Sequence, residues 1–395
     1  MTKTLLLSTF LLTGLLSTAQ NVNVPDANFK AYLVGNTAIN TNADSEIQVS
    51  EAAAFTGNIF ANNLNISDIT GIEAFTSLTG LYCRNNNIGT LDISANAALT
   101  YVDCQNTGIS SLDLSMNTAL EGVDCSLNSL TSLDASYNSN LTAINCGNND
   151  LTALDVSNNP LLSNFSCDNN DLTSLDVSNH TSLLYFVCHF NELTSIDVSN
   201  CPVLAHFSCS GNDLTSLDVS NNTALGALYC SVNSIQNLDV SANASLQVVR
   251  CDDNNLYTLN VKNGNNVNFT TFFSSTNPNL TCIEVDDAAY STSTWTNIDA
   301  NANFSNDCNY NLGIDEQTAS TPSIAIYPNP VASQLHIQVE PEVKIESVNI
   351  IDTFGRTITR NLNSNTINVS ELTEGIYFVQ IKTKRGIVSK KFTKK

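Results

Sequence analysis

A cysteine recurs every 21 residues through the middle of this chain: Cys83, Cys104, Cys125, Cys146, Cys167, Cys188, Cys209, Cys230 and Cys251, without a slip. A period held that strictly obliges every copy to fold alike, so it constrains the architecture before any other feature does. Other columns keep the same beat. Leu lies five residues before each Cys (Leu78 to Leu246), and an apolar residue two before it (Leu81, Val102, Val123, Ile144, Phe165, Phe186, Phe207, Leu228, Val249). Asn lies three residues after it except at Thr107, and Leu or Ile follows at Ile88 to Leu256 and at Leu91 to Leu259. An apolar residue closes the pattern at Ile93 to Val261. Stretches such as Leu81-Tyr82-Cys83 and Leu91-Asp92-Ile93 alternate in and out, the period-2 mark of strands, and the Asn columns mark turns where an inward amide satisfies backbone groups. No copy can bury its apolar positions alone. Stacked copies can, and the expected fold is mainly β: a solenoid with two parallel β-ladders, its coils about 4.8 Å apart.

The motif L-x-x-L-x-C-x-x-N-x-L resembles the leucine-rich repeats. Its second half, L-x-x-L-D-V-S-x-N, echoes the first after ten residues, and this nesting is similar to the 21-residue bacterial class called IRREKO repeats. His180 and Cys201 depart from the second Asn column, and the last copy decays at Asn260, Lys262 and Gly264. The resemblance implies a leucine-rich-repeat solenoid over residues 78–266, covering about half the chain.

The periodic thiols sit between core residues and are expected to pack as small hydrophobes. Parallel neighbours hold their Cβ atoms too far apart for easy disulfides, and a line of thiols does not converge on a metal. Cys282 and Cys308 stand outside the period, flanking Trp295 and Phe304; they are expected to form a disulfide that closes a C-terminal cap at 267–310.

Charge is unevenly placed. The formal net charge is −22, yet residues 20–321 hold 31 Asp/Glu and four Lys/Arg, whereas residues 322–395 hold ten Lys/Arg and six Asp/Glu. Such an acidic body repels phosphate backbones and anionic lipid, which argues against nucleic acid and leaves cations, sugars and proteins. Residues 1–19 read as a signal peptide, with Lys3, an apolar run Leu5–Leu16 and small residues Ser17-Thr18-Ala19.

Residues 20–77 read as a small α-helical N-terminal cap with one divergent repeat, its helices expected at Val24–Ala38 and Val49–Phe55. Between them, Asn40, Asn42, Asp44, Glu46 and Glu51 resemble an EF-hand loop. Ser45 stands where Gly is wanted and the first two ligand positions are neutral. The simpler reading is a polar turn in a capping helix pair; as an ion site it would be weak and calcium-selective, the sole cofactor the sequence suggests.

Residues 311–322 read as a linker, and residues 323–395 as short alternating strands forming a C-terminal β-sandwich module. Here Tyr327-Pro328-Asn329-Pro330, Phe354-Gly355-Arg356, Leu372 with Gly375-Ile376-Tyr377-Phe378-Val379, and Lys390-Lys391-Phe392 resemble the C-terminal sorting domain of type IX (Por) secretion. The resemblance implies an encounter with outer-membrane secretion machinery, and a protein secreted or attached to the outer-membrane surface.

The two outer faces differ. One is nearly invariant, with an Asp column (Asp92, Asp113, Asp134, Asp155, Asp176, Asp197, Asp218, Asp239) flanked by Ser. Hydrogen bonds from those Ser residues and the backbone are expected to offset the repulsion within it. The other varies: Tyr82, Tyr101, Asp103, Asp124, Tyr185, His189, His206, Tyr229 and Arg250. Recognition needs differing groups, and aromatics with Arg are common anchors, so this face is the candidate ligand-binding surface. His189 and His206 lie roughly 13 Å apart on the expected coils, too far to share an ion. The function expected is a monomeric, adhesin-like surface protein with a protein or carbohydrate ligand. The alternative is a structural protein meeting a lattice or cations through its S-x-D-x-S face. No G-x-S-x-G, H-E-x-x-H or P-loop appears, and no catalytic residues are assigned.

Overall fold

The computed structural model describes residues 20–308, 324–339, 343–352, 357–361, 364–383 and 386–395. The signal peptide, the linker and Phe354-Gly355-Arg356 lie outside the described residues. The chain divides into two compact units, 1–309 and 310–395.

The first unit is a β-solenoid of 21-residue turns. Its main sheet has 11 parallel strands, running from Asn58–Phe60 through Gly80–Tyr82 and its successors to Val248–Arg250 and Thr271–Phe273. Residues one period apart face each other across it, as in Leu81↔Val102 and Phe165↔Phe186. The middle residue of each strand points inward and is buried, and one apolar core runs from Val22 to Trp295. Within it Phe165, Phe186 and Phe207 stack at 5.5 and 5.4 Å.

The second ladder is shorter than one strand per copy. It has four parallel strands at the C-terminal end: Asn237–Asp239, Thr258–Asn260, Cys282–Glu284 and Asn303–Ser305. It begins where Asp239 faces Asn260.

Both Asn columns work as internal staples. In the first, the Asn170 side chain donates from Nδ2 to the carbonyls of Cys146 and Cys167 at 3.1 Å, and its Oδ1 accepts the Leu151 amide at 3.0 Å. In the second, Asn117 Nδ2 donates to the carbonyls of Ile93 and Asn96. His180 and Cys201 keep one such contact each, to the carbonyls of Val156 and Val177.

The nine periodic thiols and Cys201 are buried and unpaired. Cys83 Sγ lies 3.4 Å from the Asp103 carbonyl of the next coil. Burial pushes the thiols of Cys83, Cys125 and Cys230 up to about 12, which keeps them protonated and chemically quiet. Cys282 and Cys308 are joined, with Cα atoms 5.8 Å apart.

At the N-terminus, helix α1 (Ala27–Gly35) is capped by Asp26, which accepts the Asn28 and Phe29 amides, and it buries Phe29 and Leu33. Helix α2 (Val49–Ala54) carries a Gln48–Glu51 capping box. At the other end α3 (Ala288–Thr294) leads into Trp295, packed against Phe269 and Phe272.

The second unit is antiparallel. A three-stranded sheet (Ala325–Tyr327, Gln334–Gln338, Thr366–Asn368) and a four-stranded sheet (Thr357–Asn361, Ile345–Ile351, Gly375–Thr383, Gly386–Lys394) share a core that includes Leu335, Ile350, Val379 and Phe392.

Candidate ligand-binding face

Each strand of the long sheet presents two outward side chains, so the outer wall is two columns wide. The first column reads Gly80, Tyr101, Gly122, Ala143, Asn164, Tyr185, His206, Ala227, Val248, and the second Tyr82, Asp103, Asp124, Asn145, Ser166, Val187, Ser208, Tyr229, Arg250.

The aromatic residues gather into two groups. Tyr82 stacks on Phe60 at 4.8 Å and on Tyr101 at 5.2 Å. Glycines permit this: a Cβ at Gly122 would lie 2.7 Å from the Tyr101 ring, and one at Gly80 would lie 3.0 Å from the Tyr82 ring. The second group is Tyr185, His206 and Tyr229, with centroids 4.3 and 5.3 Å apart.

Between the groups lies a trough. Tyr101 bounds one side and Tyr185 the other, four strands apart, or about 19 Å at the ordinary strand spacing. Asp124, Ala143, Asn145, Asn164 and Ser166 line it. Its polar groups are pre-arranged. Asp124 Oδ1 accepts the Ser126 amide at 3.0 Å and hydroxyl at 2.6 Å, while its Oδ2 accepts Asn145 Nδ2 at 3.0 Å. Asp103, just behind, is 7% exposed. Burial, with the Asp124 charge nearby, raises its carboxyl pKa above the usual range, against the Gln105 amide and Arg84. Burial and the same two carboxylates raise the Tyr101 phenol, and burial lowers the His206 imidazole.

Of the residues singled out in the sequence, Tyr101, Asp124 and Tyr185 meet at the trough, Tyr82 and Asp103 stand behind one wall, and His206 and Tyr229 behind the other. His189 lies on the next column, 3.6 Å from Asp168 and 3.3 Å from Ser208 Oγ. Arg250 sits beyond the second wall, 3.5 Å from Asp252 and over Phe273 at 4.8 Å. The lining residues Ala143 and Ser166 were not singled out. The signal for Ala143 is a column that runs Gly122, Ala143, Asn164 between Tyr101 and Tyr185, visible only once columns are aligned.

On the opposite wall each Asp accepts the amide of the Ser two residues on, as Asp92 does from Ser94 at 3.0 Å and Asp176 from Ser178 at 2.8 Å. These bonds hold the carboxyls of Asp92, Asp113, Asp134, Asp155, Asp176, Asp197 and Asp218 below the usual value.

In the cap loop, Glu51 Oε1 accepts the Thr41 amide and hydroxyl, its Oε2 accepts the Gln48 amide, and Glu46 pairs with Lys30 at 2.7 Å. Asp44 accepts Glu46 N, and Asn42 Nδ2 donates to Asp44 and Gln48. Asn40 is 4% exposed and its Oδ1 has no partner. Among the described residues no group of three or more His, Cys, Asp or Glu is placed to hold a metal ion.

Residues 325–395 match a family described as a secretion system C-terminal sorting domain. Internalin J of Listeria monocytogenes serotype 4b (strain F2365) is 40% identical over 72 residues, 18% of this chain and 8% of that protein. The crystal structure of an internalin (inlF) from Listeria monocytogenes strain 4b F2365 superposes with a TM-score of 0.53 at 19% identity, covering 74% of this chain and 98% of that one. The functional domain of InlJ from Listeria monocytogenes, described as including a cysteine ladder, gives 0.44 at 23% identity over 95% of this chain and 98% of that one.

Proposed function

We propose that this leucine-rich-repeat β-solenoid, marked for export by its type IX sorting domain, is an adhesin-like binding protein that holds a protein or carbohydrate ligand in the Tyr101–Tyr185 trough. The observation that supports the reading is the pairing of two aromatic walls with a floor of pre-oriented amide and carboxylate groups. Rings supply flat contact area at low entropic cost, and the fixed polar groups select by hydrogen bonding. Asp124 and the acidic body favour neutral or cationic ligands and disfavour sulfated or sialylated ones. The sorting module serves the secretion machinery.

The mature protein should capture neutral members of glycan or protein arrays. Tyr185→Ala should weaken that capture at least about tenfold, while Asp176→Asn on the opposite wall leaves it unchanged. Loss of capture in Asp176→Asn with Tyr185→Ala unaffected would transfer the function to the S-x-D-x-S face, the lattice-binding alternative. The hydrogen bonds that occupy those carboxylates favour the first outcome.

For the cap loop we propose a structural role, because its carboxylates already serve backbone amides and Lys30. Adding millimolar calcium, or a chelator, should leave the melting temperature of the mature protein unchanged. A rise of several degrees with calcium and none with magnesium would instead make Asn40 Oδ1 and its neighbours a calcium site.

A further inference from the structure

The residue two positions after each periodic Cys adopts a left-handed backbone. This holds at Asn85, Asn106, Leu127, Asn148, Asn169, Phe190, Gly211, Val232 and Asp253, with φ between 51° and 64°. The coil imposes the conformation, since the amide of each donates to a carbonyl of the next coil, as Phe190 N does to Ser210 O at 2.8 Å and Val232 N to Asp252 O at 3.0 Å. Asn, Asp and Gly suit such a site; a bulky or β-branched side chain crowds the adjacent carbonyl. Three copies break the rule with Leu127, Phe190 and Val232, and these side chains are 48%, 55% and 51% exposed. They are therefore disfavoured twice, by backbone strain and by solvent, with no core to bury them.

Phe190 is also seated. Its ring lies over Gly211, where a Cβ would come within 2.4 Å of Cδ1, and it meets the His189 ring edge-on at 5.2 Å. A ring held in place loses little freedom on binding. Two residues further along their coils, the exposed side chains of Asp171, Glu192 and Asp213 form an acidic row beside it.

We infer that Phe190 and Val232, with Leu127 as an outlying contact, are anchors of a second interaction surface on the turn edge of the solenoid. The partner is a protein segment with an apolar centre flanked by Lys or Arg, matched to the apolar ridge and its acidic border. Backbone strain clusters where function requires it, so an exposed apolar group at a strained position points to a contact. This surface is separate from the trough and does not depend on it.

The test uses arrays of short peptides with an apolar centre and Lys/Arg flanks, beside the same centres with Glu flanks, probed with the mature protein and with a Phe190→Asn/Val232→Asn variant. Wild type should bind the basic-flanked set only. The variant should bind it at least about tenfold more weakly while melting at the same or a higher temperature, because Asn suits the left-handed site. Equal binding of both sets, no binding of either, or undiminished binding by the variant would overturn the inference. A lowered melting temperature in the variant would overturn it too, by showing that these side chains serve the fold.

Discussion

Phe186→Ala should destabilise the solenoid by about 3–5 kcal/mol, the range for truncating a fully buried aromatic. Phe186 is 0% exposed and lies between Phe165 and Phe207 with near-parallel rings, so both neighbouring coils lose their contact with it. In a solenoid each coil touches only its neighbours, and a weakened interface in mid-stack also weakens the coupling between the two halves. Urea unfolding followed by circular dichroism should show an earlier transition that broadens or splits in two. Phe186→Leu is the control. The same column holds Leu81 and Leu228, so this swap should cost less than half as much. A Phe186→Ala loss below about 1 kcal/mol would mean that the column is not packed as described.

Asn170→Ala should cost about 1–3 kcal/mol for a different reason. The carboxamide accepts the Leu151 amide, which then has no other partner, and donates to Cys146 O and Cys167 O, which keep Asn149 and Asn191 as second donors. Each buried polar group left without a partner costs about 1–3 kcal/mol. Asn170→Asp should not rescue the fold, because a carboxylate has no N–H to offer the two carbonyls. Asn170→Thr should be milder than either. The chain already uses Thr once in this column, where Thr107 Oγ1 donates to Cys104 O at 2.7 Å. Equal melting temperatures for Asn170→Ala and wild type would show that the Asn column is not structural.

The inner wall could be read from the sequence because every copy states the same constraint. Leu, Cys and Asn recur at fixed offsets since each must meet its own counterpart in the coils above and below, and a repeated requirement leaves a repeated residue. The Asp column was equally visible, and its bonding to Ser was expected. That the second ladder forms only at the C-terminal end of the stack was not, because the copies share one pattern along the stack.

The outer face carries no such repetition. Tyr82 and Tyr101 were noticeable as aromatic, yet their grouping depends on Gly80, which makes room for the Tyr82 ring in its own strand, and on Gly122, which makes room for the Tyr101 ring a period away. The same holds for Phe190, whose seat is Gly211 one coil on. By itself the sequence determined the period, the solenoid, the buried thiols and the presence of two unlike walls, because these follow from each copy's own pattern. Only the tertiary structure decided which variable residues form walls, floor or ridge. Those groupings depend on side-chain size across coils, and stacking brings such residues together although they lie a full repeat or more apart in the chain.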